Sequence, residues 1–185
     1  MLLSSFQTTN VSDMAIYALG DRTPKIDPSA FVHPDATVIG DVTIGARSSI
    51  WPQAVLRGDY GHISIGSESS IQDGTVIHAT AELSTVVGSR CVVGHIVHLE
   101  GCLIEDDVLV GSGSIVLHRV ICESHSLVGA NAVLTNGTVL PRFAMALGVP
   151  ATIITGKVRE GQFKEAVDLY VENAKNYARS LKRLD

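Results

Sequence analysis

An aliphatic residue returns every six positions from Val32 to Leu140, and this period restricts the fold more than any other feature of the chain. The series opens with Val32, Val38, Ile44, Ile50 and Leu56. It resumes at Ile65, Ile71 and Ile77, then at Val87, Val93 and Leu99, and closes with Ile104, Val110, Val116, Cys122, Val128, Leu134 and Leu140. Four places further on in each hexad the residue is usually small or aliphatic, as at Ala36, Val42, Ser48, Ala54, Thr75, Val97, Ser114, Val120, Ala132 and Thr138. An amphipathic helix would repeat every 3.6 residues and an alternating strand every two. Neither would place turn-forming residues so regularly beside the aliphatics, as in Ile44-Gly45, Ile65-Gly66, Val110-Gly111 and Val128-Gly129. Hexapeptide periodicity is the mark of a parallel β-helix. Three short strands per coil build a triangular prism, and one inward aliphatic per strand stacks on its counterparts in the coils above and below. The expected class is therefore all-β.

At 185 residues the chain is one domain's worth. Aromatic residues make up only 5%, which suits a prism too narrow for many rings. The net charge is −5, with no dense Lys/Arg cluster, so a nucleic-acid partner is not expected. Cys91, Cys102 and Cys122 are an odd number without metal-motif spacing, and they fall inside the repeat as small hydrophobes. The opening Met1-Leu2-Leu3-Ser4-Ser5-Phe6 has no basic region and too short an apolar run for a signal peptide. No stretch is long enough to span a bilayer, so a cytoplasmic protein is expected. Three zones are expected: a disordered extension over 1–13 with Met14 as an alternative start, a β-helix over 14–155, and a C-terminal amphipathic helix within 156–185. In the last zone Phe163, Val167, Tyr170, Ala174, Tyr177 and Leu181 step by three and four.

Three breaks interrupt the period: Leu56 to Ile65, Ile77 to Val87, and Leu99 to Ile104. Polar and titratable residues collect there. The first break carries Arg57-Gly58-Asp59, Tyr60 and His62; Gln72-Asp73 and His78 precede the second; His95, His98 and Glu100 surround the third. Taken singly, each has an ordinary explanation. Arg57 and Asp59 would be a surface ion pair worth at most about 1 kcal/mol. A strand histidine would be a hydrogen-bonded side chain, and Gln72-Asp73 a coil corner. Their gathering in adjacent coils is what points to chemistry.

Arg57-Gly58-Asp59, Ile63-Ser64-Ile65-Gly66, Ile71-Gln72-Asp73-Gly74-Thr75-Val76-Ile77-His78, Val93-Gly94-His95 and Gly101-Cys102 follow in an order and at intervals that resemble the γ-class carbonic anhydrase family. The resemblance covers residues 24–155 and extends to the C-terminal helix. It implies a left-handed β-helix, an exception to the usual right-handed crossover, assembled as a homotrimer with metal sites between subunits. It also implies reversible hydration of CO2 to bicarbonate at Zn2+, with Fe2+ or Co2+ as acceptable ions. By the same resemblance His78 is one metal ligand and His95 a second, contributed by the adjacent chain. Arg57, Asp59, Gln72 and Asp73 are the implied catalytic set: Arg57 and Asp73 pair at the trimer interface, Gln72 bonds the reacting water, and Asp59 organises the same region.

One departure from the family pattern matters most. A third histidine belongs five residues after His95, but the segment reads Gly94-His95-Ile96-Val97-His98-Leu99-Glu100-Gly101-Cys102. Aligned position makes Glu100 the third ligand. His98 has the same strand parity and is the alternative if the register slips. Ser70 also stands where Asn is common, Gly111-Ser112-Gly113 replaces a Gly-Met-Gly, and the loop after His78 lacks the acidic insertion of proton-shuttling members, though it holds Glu82. Zinc accepts two histidines and a carboxylate, so Glu100 does not forbid metal. It lowers the net charge of the centre by one unit, which acidifies water less. Hydration is then expected to be weak or shifted to alkaline pH, and Glu100→His to raise it. Two other readings stand beside this one. The chain could be a trimeric scaffold or small-ligand binder that kept the interface without the metal chemistry, or a CoA-dependent acyltransferase on the same scaffold, by fold analogy. His62 and Glu82 are candidate proton carriers, while His33, His118 and His125 read as surface or corner residues.

Overall fold

The computed structural model describes residues 15–184; the extension expected over 1–13 and Met14 lie outside the described residues. The chain winds as a left-handed β-helix of hexapeptide repeats, closed by one C-terminal helix. Each coil contributes a short strand to each of three faces. The first face stacks Val76–His78, His98–Glu100, Ile115–Val116 and Val133–Leu134 in parallel register. The second stacks Thr85–Val87, Leu103–Ile104, Ile121–Cys122 and Val139–Leu140. The third runs from Phe31–Val32 to Met145–Leu147. Two longer strands, Thr37–Ile44 and Val55–Ile65, pass through the corner and join the first face to the second.

The six-residue series is the core. Val38, Leu56, Ile77, Leu99, Val116 and Leu134 are successive Cα partners on the first face, each no more than 1% exposed. Every member of the series from Val32 to Leu140 is buried. The small residues between them are buried too, except Thr138, which is half-buried. Alternation along each strand then sends the neighbours of the inward residues out to solvent.

The corners are turned by residues in the left-handed backbone region, where non-glycine residues are uncommon. Arg47, Glu68, Arg90, Asp107, His125 and Phe143 all have φ between 55° and 61°. Along this edge Arg47 pairs with Glu68, Arg90 pairs with Asp107, and the His125 ring stacks on Phe143. The N-terminal strands Ala15–Tyr17 and Lys25–Ile26 cap one end of the prism. At the other end an antiparallel pair, Met145–Leu147 with Thr152–Ile154, ends the coils.

The helix spans Lys164–Ser180, a narrower stretch than the period suggests, because Gly161 turns the chain at φ 70° just before it. Phe163, Val167 and Ala174 are buried, and Tyr170 and Tyr177 stand edge-to-face with Trp51, their ring centroids 5.8 and 5.1 Å from its own. Trp51 Nε1 donates to Ser49 Oγ and Ser70 Oγ, which satisfies its buried N–H. Beside this cluster, His33 is not the surface residue its place next to Pro34 suggests. Its side chain is only 12% exposed, with Phe31 against its ring, and burial lowers its pKa.

Candidate metal centre

The irregular coils meet at the corner between the first and second faces. Gly40 pairs with Gly58 and Val42 with Ile63, so Asp41 alone faces Asp59, Tyr60, Gly61 and His62. The extra residues lift Asp59 out of the coil. A Cβ on Gly61 would lie 2.0 Å from the Thr80 carbonyl oxygen, so only glycine allows this excursion to pack on the next one. On the coil below, Thr85 Oγ1 donates to the His78 carbonyl and accepts the Gly101 N–H at 2.7 Å, tying neighbouring coils together.

Arg57, His78 and Glu100 are Cα partners in three consecutive strands, outward neighbours of the inward Leu56, Ile77 and Leu99. His78 lies between two carboxylates, with Nδ1 2.8 Å from Glu100 Oε1 and Nε2 2.9 Å from Asp59 Oδ1. Arg57 forms an ion pair with the other oxygen of Asp59, and Arg22 donates to the Asp59 carbonyl. The Tyr60 N–H donates to Asp59 Oδ1, and the Tyr60 ring stands edge-on to His78. Glu100 Oε2 faces two further histidines, His98 Nε2 at 3.4 Å and His118 Nε2 at 3.7 Å.

The electrostatics follow from these neighbours. Burial pushes the Asp59 carboxyl upward, but hydrogen bonds to His78 and Arg57 and the Arg57 charge hold it below the usual aspartate value. Burial likewise opposes ionisation of Glu100, and His78, His98 and His118 together bring it below the usual glutamate value. Both carboxylates are therefore anionic at neutral pH.

A second group lies at the opposite edge of the first face. His95 Nδ1 is 3.0 Å from Asp73 Oδ2, and both side chains are half exposed. That contact leaves Nε2 as the nitrogen available to a further partner. Gln72, buried, precedes Asp73 at the same corner. Tyr170 of the helix feels this edge as well: burial first, then the Asp73 charge, raise its hydroxyl pKa.

One chain thus brings together Arg57, Asp59, His78 and Glu100, and separately Gln72, Asp73 and His95. It does not bring His95 to His78, which lie at opposite edges of one face. Among the described residues no three His, Cys, Asp or Glu side chains of one chain are arranged to hold an ion. His62 pairs with Asp41 at 3.0 Å and Glu82 is exposed in its loop. His118, read from sequence as a surface or corner residue, belongs to the Glu100 cluster. The repeat alone does not mark it: the five-residue step from Leu99 to Ile104 shortens this coil to a seventeen-residue offset, Leu99 pairing with Val116, so His118 falls one place beyond the register of Glu100.

Comparisons with known proteins bear on the fold and the family. The bacterial transferase hexapeptide family (six repeats) matches residues 23–58. Gamma carbonic anhydrase 2, mitochondrial, of Arabidopsis thaliana is 39% identical over 85% of this chain and 57% of that protein. The carnitine operon protein CaiE of Escherichia coli is 38% identical over 76% of this chain and 72% of its own. The chain belongs to the hexapeptide-repeat family, and over most of its length it is similar to γ-class carbonic anhydrases. A solved hexapeptide transferase family protein from Anaplasma phagocytophilum has the same coil, with a TM-score of 0.83 at 32% identity, covering 90% of this chain and 99% of that one. The chain spans little more than half the length of the plant relatives it matches. No helix among the described residues is long and apolar enough to cross a membrane.

The donor chemistry of these residues fits a divalent ion of the zinc type. One edge supplies an imidazole flanked by two anionic carboxylates. The other supplies an imidazole whose Nδ1 is engaged by a carboxylate, the usual outer partner of a metal-binding histidine.

Proposed function

We propose that this chain interconverts CO2 and bicarbonate at a divalent ion held between copies of a homotrimer. The observation that carries the reading is the division of donors between two edges of one face: His78 with Asp59 and Glu100 at one, His95 with Asp73 at the other. Two copies packed on that face would bring His78 of one beside His95 of the next. On the face between the edges Val76 and Ile115 are exposed on either side of His98, and Ile96 at the His95 corner is 71% exposed; exposed apolar residues so placed suit a surface covered by a second copy.

In this reading His78 and the neighbouring copy's His95 hold the ion, and a carboxylate beside His78 completes the set. Zinc, iron and cobalt all suit two imidazoles and a carboxylate. The bound ion supplies the Lewis acidity that makes water a nucleophile near neutral pH. The chain supplies the rest. Asp73 fixes the His95 ring, and Arg57 fixes Asp59 beside His78. Gln72, next to Asp73, enters from the His95 edge and orients the attacking oxygen by hydrogen bonding. With a carboxylate in the donor set, activity is expected to rise towards alkaline pH.

Stopped-flow CO2 hydration tests this function on protein loaded with Zn2+ or Co2+. Activity lost on chelation and lost in His78→Ala and His95→Ala is the expected result. Turnover of acetyl-CoA with none of CO2, the outcome that the transferase-named relative raises, would overturn it.

A further inference from the structure

Glu100 stands where the family pattern puts its third histidine, yet its contacts are those of a group behind a ligand. We propose that Glu100 is a positioning residue: its carboxylate accepts a hydrogen bond from the Nδ1–H of His78 and so presents Nε2 of His78 to the metal. The proposal rests on the metal-centre reading above and decides which carboxylate faces the ion.

The His78 ring divides its two nitrogens between two acids. Nδ1 lies 2.8 Å from Glu100 Oε1, and Nε2 lies 2.9 Å from Asp59 Oδ1 on the other side of the ring. An imidazole gives a metal one lone pair, and the nitrogen bonded to an outer carboxylate keeps its proton. Carboxylate, histidine and metal in line is the common arrangement. Asp59 is then the carboxylate on the metal side, with Arg57 and the Tyr60 N–H holding its orientation.

The other oxygen of Glu100 is also engaged. His98 Nε2 stands 3.4 Å from Oε2 and His118 Nε2 3.7 Å. The His118 nitrogen is buried with no hydrogen-bond partner, so Oε2 is the acceptor placed to relieve it. Packing keeps His118 there: a Cβ on Gly101, whose φ is 61°, would sit 3.0 Å from the His118 ring. Three imidazoles therefore surround one carboxylate. His98, unusual for the family, and the Glu100 exchange form one unit, in which His98 and His118 hold the carboxylate that holds His78.

The test uses full-length protein with Co2+ as the probe, reading affinity by titration and ligand geometry by visible absorption. Glu100→Gln keeps an oxygen that can accept the hydrogen bond from the Nδ1–H. It should bind Co2+ within about threefold of wild type with an unchanged band, while Glu100→Ala should bind about 10–100-fold more weakly. A Glu100→Gln protein that loses Co2+ as heavily as Glu100→Ala, or shifts the cobalt band, would make Glu100 a ligand and overturn the proposal alone. Wild type that takes up no Co2+ overturns the metal-centre reading and this proposal with it. If Glu100→Ala does not fold, as circular dichroism would report, the comparison of Glu100→Gln with wild type still decides between ligand and positioning residue.

Discussion

Leu99 lies between Ile77 and Val116 in the stack of the first face, and none of its surface is exposed. A prism wall cannot collapse into the space left by a lost side chain, because strands above and below fix its spacing. Leu99→Ala should therefore lower the unfolding free energy by about 2–5 kcal/mol, read as a shifted urea midpoint with an unchanged slope. The cysteines obey the same packing. Burial pushes the thiols of Cys91 and Cys102 up to about 12 and that of Cys122 well above its ordinary value. Thiolate, the reactive form, is then scarce at pH 8. Native protein should leave all three cysteines unlabelled by a thiol reagent, and urea-unfolded protein should expose all three. Rapid labelling of the folded chain would contradict the packing. These inward positions were legible in the sequence because a period of six has one structural meaning. The contacts of His118 were not, since what it touches depends on which coil lies beside it.

The C-terminal helix was visible as a change of period, but its partner was not. Its aromatic residues find Trp51 and Phe31, one tryptophan and one phenylalanine on the third face that no repeat marks as special. Tyr177 contacts both, at 6.2 Å from Phe31 and 5.1 Å from Trp51. Such edge-to-face pairs contribute about 0.5–1.5 kcal/mol each. Tyr177→Ala should loosen the helix end by about that amount per pair and expose Trp51, the chain's single tryptophan. Its fluorescence, emitted from a site only 5% exposed, should move to longer wavelength before the coils unfold. An unshifted spectrum would mean that the helix does not shield Trp51. The irregular strands teach a related lesson. Arg57-Gly58-Asp59 and His78 stand out in the sequence as breaks in the period. That Asp59 folds back onto Nε2 of His78 depends on the offset of Asp41 against four residues, which only the paired strands reveal.

The proposed assembly rests on the two edges of the first face. Donors at opposite edges of one chain become neighbours only when chains pack side by side, and a ring of three closes such head-to-tail contacts without leaving a free edge. The motifs that carry the proposed site were legible in the sequence, while the proposed pairing of the two edges belongs to no single chain. Complementation between inactive chains tests the shared centre most directly. His78→Ala and His95→Ala proteins, each expected to carry no metal alone, are unfolded, mixed in equal amounts, refolded together and assayed for bound Zn2+ or Co2+. Random mixing joins an intact His78 to a neighbour's intact His95 in about a quarter of the interfaces, so about a quarter of the wild-type metal should return. Mixed oligomers that form and still bind no metal would contradict a centre built from two copies.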